Sequence, residues 1–416
     1  MGTADLDALL EKLSRDWLSQ GEAAQLFLRA LTFNSWFELK RAIGTRKSLS
    51  HRIARFIERH SEAQGLVFGN PRLVRHGGAL HQHRSVSVDV RIPPTDASLE
   101  DEISGTGDAF SEADAYELAI LELLERGSYQ LGKRHFGFLS GIVYRRGEGP
   151  TLVERPVEPP STSGFALEAT LKRAIEKACL EAIERDAYLC HWHTQISPKE
   201  LHFDEHPLFR LLQRRAHQLG LVFRAYLLSA ALEQARVVLL VTFDPNFGNG
   251  STSFSSGLGS AWNLEEAFLK AYFELDRFMG LSLSLRPEQR PAQTRMSTPI
   301  GRYWHYLDPR NFDALSVFVG GGSGRLGREV LTHGPSRPPD LEELLKLLSR
   351  DDAGDVVIYP GPVPAELKRR VFCCWVRAPR LFGLSYDDDQ DINDRRLEEF
   401  SSGRPFVKNI HPHPLP

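Results

Sequence analysis

Cysteine is scarce in this chain, and its placement excludes two common functions. Cys179, Cys190, Cys373 and Cys374 form no CxxC pair and no disulfide-like framework. The expectation is four reduced, mostly buried thiols in a cytoplasmic protein. Long hydrophobic runs are missing too: "VVLLV" at 238–242 falls far short of the roughly 20 residues a membrane helix needs. The opening "MGTADLDALLEKL" lacks a basic start and an unbroken apolar stretch, so it does not read as a signal peptide. Net charge is nearly absent, with 51 Lys and Arg against 54 Asp and Glu. That balance gives no electrostatic case for nucleic acid as the main partner. What remains is ordinary globular material, 41% hydrophobic and 25% charged, in 416 residues. It is enough for a large core in two or three average domains, or in one large domain with an appendage.

Hydrophobic spacing divides the chain near residue 65. Before it, Leu6, Leu9, Leu10, Leu13 and Trp17 recur at helical intervals, and "SLSHRIARFIERH" repeats the pattern. Residues 1–65 therefore read as a small helical extension, for docking or oligomerisation, and 66–416 as one large domain. Beyond 65 the period changes. "SVSVDVRI" (85–92), "FLSGIVYRR" (138–146), "LVFRAYLLSA" (221–230), "ARVVLLVTFD" (235–244), "DVVIY" (355–359) and "VFCCWVR" (371–377) read as strands. Strands interspersed with long helices give a mixed α/β or α+β class. "RPEQRPAQTR" and "GPSRPPD" read as surface loops.

Three helices share one register: "GDAFSEADAYELAILELLER" (107–126), "ALEATLKRAIEKACLEAIER" (166–185) and "GSAWNLEEAFLKAYFELDRF" (259–278). Each opens on a small residue, Gly107, Ala166 or Gly259. Four residues on stands an N-cap type, Ser111, Thr170 or Asn263. Alanine pairs follow at Ala115/Ala119, Ala174/Ala178 and Ala267/Ala271, then a glutamate at Glu122, Glu181 or Glu274. The next turn carries Glu125–Arg126, Glu184–Arg185 and, in the third copy, Arg277. Positions three and four apart share a helix face, so each helix presents small residues, then carboxylate, then arginine. A single ExxER is a surface ion pair worth about 0.2–0.5 kcal/mol. Two full copies and a variant suggest more. Paired carboxylates suit hard cations such as Mg2+, and arginine suits phosphate.

These segments resemble the YcaO family. "STSGFALEATLKRAIEKACLEAIERDAYLCHWH" (161–193) is similar to its second block, "SGTGDAFSEADAYELAILELLER" (104–126) to its first, and "GLGSAWNLEEAFLKAYFELDR" (257–277) to its third. The resemblance spans about residues 66–416. It implies a YcaO-like fold with three Glu-bearing helices packed on β-sheet, binding ATP and Mg2+. It also implies chemistry: a Cys, Ser or Thr side chain attacks the preceding carbonyl of a ribosomally made precursor peptide. ATP phosphorylates the oxygen, and phosphate leaves to give a thiazoline or oxazoline. By matching position, Glu122, Glu125, Glu181 and Glu184 would be magnesium ligands. Arg126 and Arg185 would contact phosphate or orient those carboxylates. Glu274, Arg277, Ser163 and Gly107 would complete the nucleotide site. Thr106 stands where many members have Lys, Leu118 where many have Ser, and Arg277 where Gln is common. Two related readings stand beside cyclodehydration: thioamide or amidine formation, and a catalytically weak scaffold subunit. With only about 65 residues ahead of the YcaO-like region, the resemblance implies a separate leader-binding partner similar to ubiquitin-activating enzymes. A flavin (FMN) dehydrogenase partner and a homodimer within the complex are further expectations, with no nucleic acid and no membrane.

The sequence closes on "IHPHPLP", similar to the PxPxP tail of azoline-forming members. Proline fixes φ, so this segment is already extended and loses little entropy on docking. The expectation is that it threads inward and brings the Pro416 carboxylate, or His413, to the nucleotide site as a proton acceptor. Other signals carry little. "GSGRLG" (322–327) has GxGxxG spacing without a clear helix behind it and reads as a glycine loop. His81/His83 and His191/His193 lack companion zinc ligands. "YDDDQDIND" lacks the Gly and Glu of a calcium loop and reads as solvated.

Overall fold

The computed structural model describes residues 72–74, 84–91, 102–109, 112–131, 138–144, 150–157, 162–203, 206–246, 254–284, 299–306, 308–327, 338–349, 354–361, 363, 371–384 and 394–415, apart from a few side chains. The expected N-terminal helices, His81/His83, Ser111, the loop at 286–295, most of the acidic loop at 386–394, and Pro416 lie outside them. The described residues fall into two compact units. The first holds those before 76, between 83 and 181, and between 339 and 380. The second holds those between 182 and 338 and from 381 onward.

In chain order the first unit begins with β1 (Arg72–Val74), β2 (Arg84–Arg91), β3 (Glu102–Ala109) and α1 (Glu112–Leu131). It continues with β4 (Phe138–Tyr144), β5 (Thr151–Val157) and β6 (Phe165–Glu168). Helix α2 (Leu171–Thr194) belongs to the first unit through Glu181 and to the second from Ala182. The second unit then runs through β7 (Lys199–Leu201), α3 (Pro207–Gln218), β8 (Val222–Leu228), β9 (Arg236–Phe243) and β10 (Phe254–Ala261). It adds α4 (Leu264–Ser284), α5 (Pro299–Tyr306) and β11 (Arg325–Leu326). The chain returns to the first unit for α6 (Leu341–Leu348), β12 (Val356–Pro360) and β13 (Phe372–Arg377), and to the second for α7 (Asp394–Ser401).

The first unit has an antiparallel sheet β1-β2-β3 and an antiparallel sheet β5-β4-β12-β13-β6. Val86 and Val88 on β2 are fully buried, as the alternation of that segment requires. The second unit has the sheet β10-β9-β8-β7-β11, antiparallel except where β11 joins β7. β9, "RVVLLVTF", is buried on both faces beyond its first residue, which suits its unbroken apolar run. Against this sheet pack α3, through Phe209, Leu212 and Ala216, and α4, through Ala267, Ala271 and Leu275. Pro207 starts α3 and the His206 ring accepts the Phe209 N–H, while Arg210, Arg214 and Arg215 face solvent.

All six strands read from the sequence are present, with ends shifted by up to two residues. β1, β3, β5, β6, β7, β10 and β11 are not among those the sequence reveals. "GSGRLG" contains β11. The four cysteines are free and buried, and burial pushes every thiol up, so none is primed as a nucleophile.

Candidate functional site

The repeat is a strand–helix unit. β3 runs into α1, β6 into α2 and β10 into α4. All six repeat alanines are fully buried. In the first copy a Cβ on Gly105 would strike the Ala119 carbonyl oxygen, and one on Gly107 the Ala115 carbonyl oxygen. In the third copy Gly257 meets the Ala271 carbonyl and Gly259 the Ala267 carbonyl in the same register. These glycines lie inside strands. They are glycine because a helix backbone rests on the strand there.

That close approach has a chemical product. The N–H between the paired glycines donates to the repeat glutamate. Thr106 N–H reaches Glu122 Oε2 at 2.7 Å, and Leu258 N–H reaches Glu274 Oε2 at 2.6 Å. The second copy departs from this. Gly164 has φ +76° and starts β6 from a turn, and Phe165 N–H donates to the Thr162 carbonyl at 3.0 Å. A Cβ on Gly164 would also lie 2.6 Å from the Val376 carbonyl oxygen. The Ser163 carbonyl accepts the Trp375 indole N–H at 3.0 Å, which fixes this turn on β13. The two observable caps behave as expected. Thr170 Oγ1 accepts the Arg173 N–H at 3.3 Å, and Asn263 Oδ1 accepts the Glu266 N–H at 2.7 Å.

In the first unit, Arg126 orients a carboxylate. Its Nη2 lies 2.6 Å from Glu122 Oε1, and its Nη1 donates to the Ser104 carbonyl at 3.0 Å. Glu125 is held from two sides: its Oε2 accepts the Leu167 N–H at 3.0 Å and the Lys177 ammonium at 2.9 Å. Burial by itself would lower the Lys177 pKa, but the charge and hydrogen bond of Glu125, together with Glu181 and Glu168, outweigh it and raise the pKa. Lys177 stands one turn before Glu181, but nothing in its own segment marks it as paired with α1.

In the second unit, Glu184 is buried beside Arg185, with Oε1 3.8 Å from Arg185 Nε. Burial raises the Glu274 carboxyl above its ordinary range; Arg185 and Arg277 oppose the rise and Glu184 adds to it. Glu184, Arg185, Glu274 and Arg277 thus form one electrostatic group. Arg277 also lies 4.9 Å over the Phe278 ring. Next to the group is Tyr188, fully buried and stacked on Phe318 at 5.0 Å. Its hydroxyl is buried without a hydrogen-bond partner among the described residues, and burial pushes its pKa well up.

The proline-rich tail docks in the same unit. Asn409 N–H donates to the His193 carbonyl at 2.8 Å, and His193 Nδ1 meets the Asn409 carbonyl at 3.0 Å. The Trp192 indole N–H donates to the His411 carbonyl at 2.9 Å, and the Tyr306 hydroxyl to that of Pro412. His413, Pro414 and Leu415 are buried. Tyr306 lies within electrostatic reach of Tyr188, as do Glu274 and Arg185.

His191 has a structural role. It is buried on α2, with Nδ1 2.6 Å from the Ile196 carbonyl and Nε2 accepting the Ser229 N–H at 3.1 Å. Burial pushes its pKa down to about 4 from the usual 6.5. The unfolded chain therefore takes up a proton that the folded chain refuses, so stability falls as pH drops from about 6.5 to about 4. The full loss is on the order of 3 kcal/mol. Urea midpoints measured across that window should slope accordingly, and His191→Gln should flatten the slope.

Among the described residues no three His, Cys, Asp or Glu side chains are already gathered as a metal cage. The oxygens present are nonetheless the hard donors Mg2+ takes, and Mg2+ fills most of its shell from water and phosphate. The Tyr188 hydroxyl beside Glu274 and Arg185 is a further polar group with hydrogen-bonding capacity to spare. The residues fit both groups. No helix among the described residues is long and apolar enough to cross a membrane.

Three solved structures share this fold. A YcaO from Methanopyrus kandleri bound with AMPPCP and Mg2+ has a TM-score of 0.55 at 19% identity, over 82% of this chain and 93% of that one. A heterocyclase in complex with substrate and cofactor has a TM-score of 0.59 at 14% identity; it aligns with 89% of this chain, which spans only 58% of that longer one. The E. coli microcin synthetase McbBCD complex gives 0.51 at 12% identity, over 79% and 95%. Curated protein sequences gave no significant match. The family model described as YcaO cyclodehydratase, ATP- and Mg2+-binding, matches residues 140–359, just over half of the chain, and the protein belongs to the YcaO family.

Proposed function

We propose that the protein carries out ATP- and Mg2+-dependent cyclodehydration of Cys, Ser or Thr residues in a ribosomally made precursor peptide. The observation that carries this reading is the docked proline-rich tail, held by Trp192, His193 and Tyr306 in the unit that contains Glu184, Arg185 and Glu274. Glu122, Glu125, Glu181 and Glu184 are assigned to Mg2+, with Arg126 orienting Glu122. Arg185, Glu274, Arg277, Ser163 and Gly107 are assigned to the nucleotide. When bound, Mg2+ would neutralise charge on the polyphosphate and help turn a poor leaving oxygen into phosphate. His413 is assigned to accepting the proton released as the ring closes.

Thr106 fits an active site. Its main-chain N–H holds Glu122, so a residue other than lysine leaves that carboxylate in place. The substrate is delivered by a separate leader-binding subunit similar to ubiquitin-activating enzymes. A flavin dehydrogenase is the reaction class that would oxidise the ring. Incubation with precursor, leader-binding partner, ATP and Mg2+ should remove one water mass per ring, with ATP consumption dependent on the precursor. ATP turnover without that loss would reject the reading.

A further inference from the structure

Lys177 lies among the repeat glutamates in a way the helix register does not require. Its Nζ sits 2.9 Å from Glu125 Oε2, and Glu181 and Glu168 lie within electrostatic reach of the same ammonium. Glu125 comes from α1, 52 residues away in sequence. The oxygen that takes the ammonium also accepts the Leu167 N–H at 3.0 Å, so the carboxylate is fixed where α1 meets β6. The aligned positions in the other copies are Leu118 and Lys270. Leu118 brings no charge. Lys270 is engaged elsewhere, 3.1 Å from Glu266 and 2.9 Å from the Ser260 carbonyl. Among the described residues, the second copy alone sets a lysine on a repeat glutamate.

Carboxylates brought together repel one another unless a cation sits among them. A tethered ammonium supplies that charge without leaving a vacancy, and an incoming ion must first displace it. We propose that Lys177 is a resident cation of this acidic face. It does at Glu125 the charge work of a divalent ion, so the native chain takes up one ion fewer than its glutamates would otherwise hold. The inference rests on the reading of those glutamates as cation ligands. Glu125 then meets Mg2+ only where the ion displaces that ammonium.

Mn2+ is the probe, counted by the electron paramagnetic resonance signal of free ion in titrations of the full chain, with and without AMPPCP. Lys177→Met keeps the stem and removes the charge, and should bind one more Mn2+ per chain than the native protein. Lys177→Arg should count like the native protein. Adding Glu125→Gln to Lys177→Met should remove the extra ion. Circular dichroism melts check that each variant is folded, and Lys177→Gln substitutes if the methionine variant melts early. Equal counts and affinities for native and Lys177→Met, while both bind Mn2+, overturn this inference alone. No Mn2+ binding by either, even with AMPPCP, overturns the cation reading of the glutamates and this inference with it.

Discussion

Deletion of Pro412–Pro416 should leave a folded protein that makes rings about 10²–10⁴-fold more slowly, the range a lost proton acceptor costs. The tail is built into the second unit, so the deletion also has a stability cost. Leu415 is fully buried, and its loss costs roughly 1.5–3 kcal/mol. The Tyr306 hydroxyl loses the Pro412 carbonyl, and an unmet buried donor costs about 1–3 kcal/mol. Both lie below the stability of an ordinary domain, so the melting temperature drops while the fold survives. A second variant separates chemistry from stability. Trp192→Phe removes the indole N–H that holds the His411 carbonyl and keeps an aromatic ring against Phe318. The tail then stays buried with looser register, and a misplacement of about 1 Å can cost on the order of 10²-fold in rate. The measurement is ring formation per bound ATP beside a thermal melt. A truncated protein with native ring formation would reduce the tail to packing.

The same tail shows what the sequence makes legible. "HPHPLP" is visible because proline fixes the backbone, so an extended, dockable strand can be read without knowing its receptor. Trp192 and Tyr306, which receive it, cannot be found that way; Trp192 lies 219 residues away from its partner. The helices of the repeat are equally legible, because alanine, glutamate and arginine recur at helical spacing. Their strands are not. β3 reads "EISGTGDA" and β10 reads "FSSGLGSA", and glycine and serine are poor strand formers that mark turns elsewhere. The glycines are there for a reason outside their own segment: helix backbone lies on top of them. Side-chain direction is equally hard to read from spacing. Arg126 follows Glu125 directly and Glu122 by one helical turn, a pattern that suits phosphate and carboxylate partners alike. In space it grips Glu122 and the Ser104 carbonyl.

Asp186→Asn should destabilise the second unit by about 3–5 kcal/mol, the usual cost of leaving one buried charge without its partner. Asp186 is fully buried at the end of the ExxERD run, and Arg396 on α7 is 5% exposed. The guanidinium meets it twice, Nε at 3.0 Å from Oδ1 and Nη2 at 2.6 Å from Oδ2. Oδ1 also accepts the Phe382 N–H at 3.0 Å, so one carboxylate ties α2 to α7 and to the segment following β13. Of the two adjacent arginines on α7, Arg396 is the buried half of this pair and Arg395 is exposed. Asparagine can still accept the Phe382 N–H but leaves the guanidinium buried and uncompensated. Adding Arg396→Met removes that charge, and the double variant should regain most of the loss, because an apolar replacement of a buried pair is often neutral. Urea unfolding of the two singles and the double measures the coupling directly. Additive losses would mean that the two residues act separately. Strong coupling would make the pair the anchor of α7, and hence of the tail that follows it, so Asp186→Asn should slow ring formation more than the fraction unfolded accounts for.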